Sequence, residues 1–309
     1  MRILVLGFTG YLGGHVAERL RVLPDVRLLG GGRSPAADLG VDLATARPEH
    51  LAKALASAAP DAVINCAGAT GGDAVTLAEV NSRGTAVLCA ALRDARPDAR
   101  LVHLGSAAEY GPGTPQTRVT ETAATRPLTA YGATKLAGTV TVTTSGLDAV
   151  VLRVGNPVGP GAPRTGLPGR IAGLLREAGP DPDAVIRLGD LSAYRDFVDA
   201  RDVARAAVLA ATAPGPLPGV LNIGGGDAVP VRDLVHRLAR ISGFRGRIEE
   251  SGPDRSARSG GVSWQCSDIT AAGSALGWRP ALTLEDSLTA LWTAGASAAP
   301  PRAEGGPTP

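Results

Sequence analysis

The 309-residue chain has three cysteines, Cys66, Cys89 and Cys266, odd in number and far apart. They suggest neither a disulfide framework nor a CxxC metal site, and a reducing cytoplasm is the expected compartment. Its four histidines, His15, His50, His103 and His236, lack metal-ligand spacing, so no metal centre is expected. The net charge is only +2, with Lys and Arg scattered. This leaves no electrostatic case for nucleic acid or an anionic membrane as partner. The first apolar run, "MRILVLG", is too short for a signal peptide or a spanning helix. Aromatics make up just 3% of the chain, so a tyrosine set among small residues calls for an explanation.

What is present is a globular composition, 44% hydrophobic and 19% charged, at a length for one large domain or a domain with a lobe. Short apolar runs alternate with helix-length segments. Strands are predicted at 1–7, 26–31, 61–68, 99–106 and 147–156. Helices are predicted at 11–23, 50–59, 73–95 and 130–144, the last despite the strand-like "TVTVTTS" at 139–145. Such alternation predicts an α/β fold, a doubly wound parallel sheet covered by helices on both faces. Residues 1–156 form the expected dinucleotide-binding domain, completed by returns near 195–223. Residues 157–294 form mainly a smaller substrate lobe, interleaved with it, and 295–309, rich in Ala, Pro and Gly, a disordered tail.

"GFTGYLGG" (7–14) lies between the first strand and the first helix. Gly7, Gly10 and Gly13 permit a tight turn and let a pyrophosphate approach the helix N-terminus, where free N–H groups favour anions. With Thr9, Tyr11 and Leu12 they are the candidate cofactor cradle. The second strand ends in "LLGGGRSP", which offers Arg33 and no acid. An arginine there accommodates a 2′-phosphate, so NADP(H) is favoured, with NAD(H) the alternative. Asp42 and Leu43 lie where the adenine edge is expected, and Cys66, Ala67 and Gly68 follow the third strand at the ligand-binding edge of the sheet.

"YGATKLAG" (131–138) sets Tyr131 and Lys135 four apart, on one helix face. On spacing alone the pair also suits a half-buried tyrosine beside a solvated lysine. The wider pattern decides. With "GFTGYLGG", "INCAG", "VNSRGT", "GSAAEYG", "YGATK", "LRVGNPVGPG", "RDFVDARDVARA", "LNIGGG" and "ALGWRP", residues 1–293 resemble the extended short-chain dehydrogenases/reductases, in their nucleotide-sugar epimerase/dehydratase branch. "RLGDLSAYRDFVDARDV" is most similar to the reductases of GDP-4-keto-6-deoxymannose. The resemblance implies that Tyr131 exchanges a proton with a substrate carbonyl, and that Lys135 stabilises the phenolate and binds the nicotinamide ribose. It implies that Ser106 hydrogen-bonds the carbonyl oxygen and Asn81 supports Lys135. A free phenol ionises near pH 10, roughly, and a neighbouring ammonium favours its charged form. Asn156 and Arg195 are the implied substrate contacts, Arg195 as a fork on a diphosphate. Arg255 and Arg258 are weaker phosphate candidates.

The reaction within the branch turns on residues 107 and 108. The family's dehydratases carry an acid pair after the catalytic serine or threonine, and its epimerising reductases a cysteine; here both positions are alanine. Glu109 is adjacent, but strand alternation should turn it from the Ser106 face. Simple carbonyl reduction of a nucleotide-diphosphate sugar, at the 4-keto group of a 6-deoxyhexose, is therefore expected. The alternatives are an NAD-dependent 4-epimerase and a ketoreductase acting on a non-sugar ketone. The resemblance also implies a homodimer through helices near 81–95 and 131–144, where Ala86, Ala90, Ala133 and Ala137 permit close packing.

Overall fold

Residues 1–250 and 261–296 are described by the computed structural model. Arg255, Arg258 and the chain beyond 296 lie outside the described residues, and so do the expectations placed on them. The chain opens with β1 (Arg2–Leu6), α1 (Tyr11–Arg21), β2 (Arg27–Gly32), β3 (Leu39–Gly40), α2 (Pro48–Ala58) and β4 (Ala62–Asn65). Then come α3 (Ala74–Leu77), α4 (Gly84–Ala95), β5 (Arg100–Ser106), α5 (Ala130–Thr143), β6 (Ala149–Val154) and β7 (Asn156–Val158). The remainder is α6 (Leu167–Ala178), β8 (Val185–Leu188), β9 (Tyr194–Asp199), α7 (Ala200–Thr212), β10 (Val220–Ile223), β11 (Ala228–Pro230), α8 (Val231–Ser242), β12 (Arg247–Glu250), α9 (Thr270–Leu276) and α10 (Leu284–Ala296).

Among the described residues, seven strands pair in parallel in the order β10-β6-β5-β4-β1-β2-β3. Side chains of β1 alternate between two cores. Ile3 and Val5 join the cluster under α1 and α7, while Leu4 and Leu6 join the one under α2 and α4. Burial on both faces is why the strand is continuously apolar. The order reverses at β1, between β2 and β4, and ligands of such sheets bind outside the strand ends at that crevice. A third cluster, built from α6, α8, α10 and the strands β8 and β9, forms a separate layer of side chains.

Four local features refine the plain alternation of strands and helices. The 73–95 helix is interrupted by a π-helical stretch, Ala78–Arg83, that carries Asn81. The 147–156 strand divides, because β7 leaves the main sheet to pair with β9. Residues 195–211 divide into β9 and α7, and Asp199 makes the joint by accepting the Arg201 N–H at 2.7 Å. At 139–143 the helix prevails over strand propensity. Thr139 and Val142 are buried, and the hydroxyls of Thr141, Thr143 and Thr144 return to the carbonyls of Ala137, Thr139 and Val140.

Candidate active site

The glycine turn closes on itself through Gly10 N–H to the Gly7 carbonyl, 2.8 Å. Gly7 has φ +75°, and a Cβ there would lie 2.9 Å from the Ala67 nitrogen. A Cβ on Gly13 would collide with the Gly7 carbonyl oxygen. The turn, the first helix and the loop after β4 are therefore in backbone contact, which only glycine allows. Gly10 caps α1 without a side-chain hydrogen bond, and no acid stands in the first turn. The first-turn N–H groups thus have no side-chain cap and no nearby first-turn acid, which suits an anion. Thr9 and Leu12 lie in the same turn. The Tyr11 ring leans on His15 at 5.6 Å, and its buried hydroxyl has no hydrogen-bond partner. Burial, with Asp199 nearby, pushes the Tyr11 pKa up. The side chain thus packs toward α7, leaving the backbone to meet a ligand.

Arg33 follows β2 and is exposed, with no ion pair among the described residues. Asp38, in the turn to β3, instead accepts the Gly30 N–H at 2.7 Å, so the carboxylate near this strand is engaged with backbone. Asp42 accepts the Ala44 N–H at 3.1 Å, while Leu43 is buried. Their loop is fastened by Arg83, whose guanidinium donates to the carbonyls of Leu43, Ala44 and Ala46. "VNSRGT" gains a structural role in this way.

Cys66, Ala67 and Gly68 leave β4 beside this cradle. Asn65 accepts the Ala67 N–H at 3.1 Å and meets His103 Nδ1 at 3.1 Å. Burial, and then Lys135, hold His103 well below the usual imidazole range, so it is neutral. Burial pushes the Cys66 thiol up to about 12, against the pull of Lys135, so it is no thiolate at neutral pH. Asn81 accepts the Ala69 N–H and donates to the Ala69 carbonyl and to Thr134 Oγ1. It therefore ties the β4 loop to α5, and no direct bond links its side chain to Lys135 among those described.

The three candidate catalytic groups stand at the end of β5 and in the first turns of α5, two elements that pack together. Ser106 is the last residue of β5 and is 8% exposed. Thr129 caps α5 by accepting the Gly132 N–H at 3.2 Å, which puts Tyr131 in its first turn. A Cβ on Gly132 would lie 2.6 Å from the Ala108 carbonyl oxygen, so the turn after Ser106 presses directly on this helix end. Lys135, one turn on, is buried and donates from Nζ to the Leu104 carbonyl at 2.5 Å. Its Nζ would lie 3.7 Å from a Cβ on Gly68, which puts the ammonium next to the cofactor cradle.

One expectation fails here. Glu109 does not point away by strand alternation, because the strand ends at Ser106 and residues 107–109 make a 3₁₀ turn. Its fully buried carboxylate turns back to accept the Ser106 N–H at 2.7 Å and pairs with Arg153 at 2.8 Å. Burial works against the Arg153 charge, but Glu109 and Tyr110 more than offset it, and its pKa rises.

On β9, Arg195 is 8% exposed, and its side chain donates to the Tyr194 carbonyl at 2.8 Å. No carboxylate faces it among the described residues, and burial lowers its pKa. Asn156 on β7 donates to Gln265 Oε1 at 2.8 Å and to the Asp196 carbonyl at 3.3 Å. Gln265 and the Glu109–Arg153 pair escaped the sequence reading. Gln265 has no local signal, since it meets Asn156 from 109 residues away. Arg153 carried one in its place inside an otherwise apolar strand.

With this geometry in hand, comparisons place the chain. A profile described as NAD dependent epimerase/dehydratase family matches residues 3–224. The dTDP-6-deoxy-L-talose 4-dehydrogenase (NAD(P)(+)) of Kitasatospora kifunensis is 36% identical over 311 residues, covering 96% of each chain. Among solved structures, MoeE5 in complex with UDP-glucuronic acid and NAD superposes with TM-score 0.82 at 26% identity, over 97% of this chain and 100% of that one. RMD from Pseudomonas aeruginosa complexed with NADPH gives 0.82 at 24% identity, over 96% and 99%, a likeness of fold. The chain belongs to the NAD-dependent epimerase/dehydratase family of extended short-chain dehydrogenases/reductases, and is an NAD(P)-dependent oxidoreductase.

Proposed function

We propose that this enzyme reduces the 4-keto group of a nucleotide-linked 6-deoxyhexose, with NADPH as the hydride donor. The observation that carries the reading is the protonic poverty of the turn after Ser106. Ala107 and Ala108 cannot move a proton, and Glu109 is committed to the Ser106 backbone and Arg153. Elimination of water or epimerisation at a neighbouring carbon would need a second acid or base there. Reduction needs one proton and one hydride: the carbonyl carbon takes the hydride, its oxygen takes the Tyr131 proton, and an alcohol and NADP⁺ result. The relative from Kitasatospora, by its name, works the same 4-position couple of a 6-deoxy sugar on dTDP.

Each residue has a task in this reading. The turn holding Gly7, Thr9, Gly10, Tyr11, Leu12 and Gly13 receives the pyrophosphate through backbone N–H groups. Arg33 meets the 2′-phosphate, Asp42 and Leu43 border the adenine, and Cys66, Ala67 and Gly68 line the path to the nicotinamide. Lys135 holds the ribose and favours the Tyr131 phenolate after proton transfer. Ser106 donates to the carbonyl oxygen. Arg195, a buried cation without a carboxylate partner among the described residues, takes the diphosphate, which supplies its missing counter-charge. Asn156 contacts the sugar. Exposed Ala86, Ala133, Ala137 and Val140 on α4 and α5 suit a homodimer contact.

The test is to mix purified enzyme, NADPH and 4-keto-6-deoxyhexoses carrying dTDP, GDP or UDP, then follow NADPH loss and product. One NADPH oxidised per new hydroxyl group is the expected result. Interconversion of two hydroxy sugars without net cofactor use would identify an epimerase. Oxidation only with free aromatic or polyketide ketones would move the substrate class away from sugars.

A further inference from the structure

Behind Ser106 lies a buried charged pair with no part in the proton and hydride chemistry. Glu109 Oε1 accepts the Ser106 N–H at 2.7 Å, and Oε2 accepts Arg153 Nε–H at 2.8 Å. The pair bridges the end of β5 and β6, where Gly105 registers with Arg153 and Ser106 with Val154. Position 105 accommodates it, since a Cβ there would lie 2.7 Å from Glu109 Oε1. The Arg153 guanidinium rests over the Tyr110 ring at 4.5 Å, and Tyr110 donates its hydroxyl proton to Asn222 at 2.8 Å.

The other half of the arrangement concerns the serine hydroxyl. Ser106 Oγ accepts the Ala108 N–H at 3.2 Å, so Glu109 and Ser106 cap the same short turn reciprocally. A hydroxyl has one proton and two lone pairs. With a lone pair anchored inward by Ala108, the proton is left to point out of the turn. The turn's conformation therefore sets the direction of that O–H, and the Glu109 carboxylate holds the turn. A buried ion pair is a poor way to gain stability, because apolar side chains of similar volume serve as well or better. Its placement on the Ser106 backbone indicates another use.

We infer that Glu109, held by Arg153, is a positioning residue that aims the Ser106 hydroxyl at the substrate carbonyl oxygen. The inference rests on the reading of Ser106 as the carbonyl's hydrogen-bond donor. Losing such a donor outright lowers turnover by roughly 10²–10³. Mis-aiming it should lower turnover by somewhat less, about 10- to 100-fold by the same measure.

The experiment is a double-mutant cycle in the full-length enzyme, using whichever nucleotide-linked keto sugar of the panel the wild type turns over. Glu109→Gln keeps the shape and removes the charge. Its kcat should fall about 10- to 100-fold, with KM and the NADPH Kd within about twofold. In a Ser106→Ala background the same change should have no further effect, because it acts through the hydroxyl. Should Glu109→Gln fail to fold, Glu109→Met combined with Arg153→Leu removes both charges together, and should fold while showing the same kcat loss. Full kcat in a folded variant lacking the Glu109 charge overturns the inference. So does a loss that adds in full to that of Ser106→Ala, which would mark a structural role. If Ser106→Ala itself keeps full turnover, or no keto sugar of the panel is reduced, the reading of the site falls and the inference with it.

Discussion

Tyr131 sits in the first turn of α5, 9% exposed, with Lys135 one turn further on and bonded to the Leu104 carbonyl. Removing its hydroxyl should leave packing nearly intact. Tyr131→Phe should lower turnover by roughly 10²–10⁴ with NADPH affinity little changed; near-normal turnover in steady-state kinetics would remove Tyr131 from the mechanism. At the far end of the cradle, Arg33 is exposed and the nearby Asp38 is spent on Gly30. Arg33→Asp should therefore move preference from NADPH toward NADH, by deleting a phosphate partner and adding a repulsive charge. Fluorescence titration with both cofactors checks this. Tighter binding of NADH by the wild type would reverse the assignment and favour the epimerase. Both residues could be singled out in the sequence because the reasons for choosing them are local, a helix face and a strand end. Gln265 and the Glu109 carboxylate were not. One reaches Asn156 across 109 residues, and the other was misjudged because a turn began one residue after Ser106.

Among the elements, "RDFVDARDVARA" proves to be mostly a set of staples. Asp196 accepts the N–H groups of Gly225, Gly226 and Ser267, while Asp202 accepts those of Ala281 and Leu282. These carboxylates pin the chain after β10 and the segment after Trp278 to β9 and α7. Burial pushes the Asp196 pKa up to about 6, with the hydrogen bonds from Ser267, Gly225 and Gly226 pulling the other way. The folded protein therefore holds this proton at pH values where the unfolded chain, near 3.8, has lost it. The stability contributed by this group is largest below that lower value and declines as pH rises through about 6. Asp196→Asn places an NH₂ where an acceptor is needed, whereas a protonated carboxyl oxygen still accepts. Below the unfolded value of 3.8 the variant should lose about 1–3 kcal/mol of unfolding free energy. That loss should shrink as pH rises from 3.8 to about 6, by at most about 1.4 kcal/mol per pH unit, and stay level above. Denaturant melts at several pH values measure it. Asp199, whose pKa is lowered, titrates in both proteins and cancels in the difference. A loss independent of pH would mean that Asp196 ionises in the fold as it does unfolded.

At the scale of the whole molecule, the cradle joins α1, the β4 loop and α5, elements far apart in the chain. A ligand bound across them stabilises the native state by mass action. NADPH at about 100 times its Kd should add roughly 2.7 kcal/mol. This corresponds to a Tm rise of several degrees, about 5 °C, for a chain of this size. At equal concentration NADH should raise Tm less. Equal shifts in thermal unfolding would remove the cofactor preference.

The sequence by itself determined the parallel sheet, the glycine turn and the tyrosine–lysine pair. Each rests on short-range regularities: apolar runs buried on both faces, glycines at a strand–helix joint, and side chains one helical turn apart. Only the tertiary structure decided what surrounds them. It interrupted the 73–95 helix with a π stretch at Asn81, and it kept 139–143 helical by burying Thr139 and Val142. It left Arg195 buried with a carbonyl for company and closed Glu109 between Ser106 and Arg153. The physical reason is common to all four. Burial and charge pairing depend on what the fold brings from distant parts of the chain, and a local pattern carries no record of that.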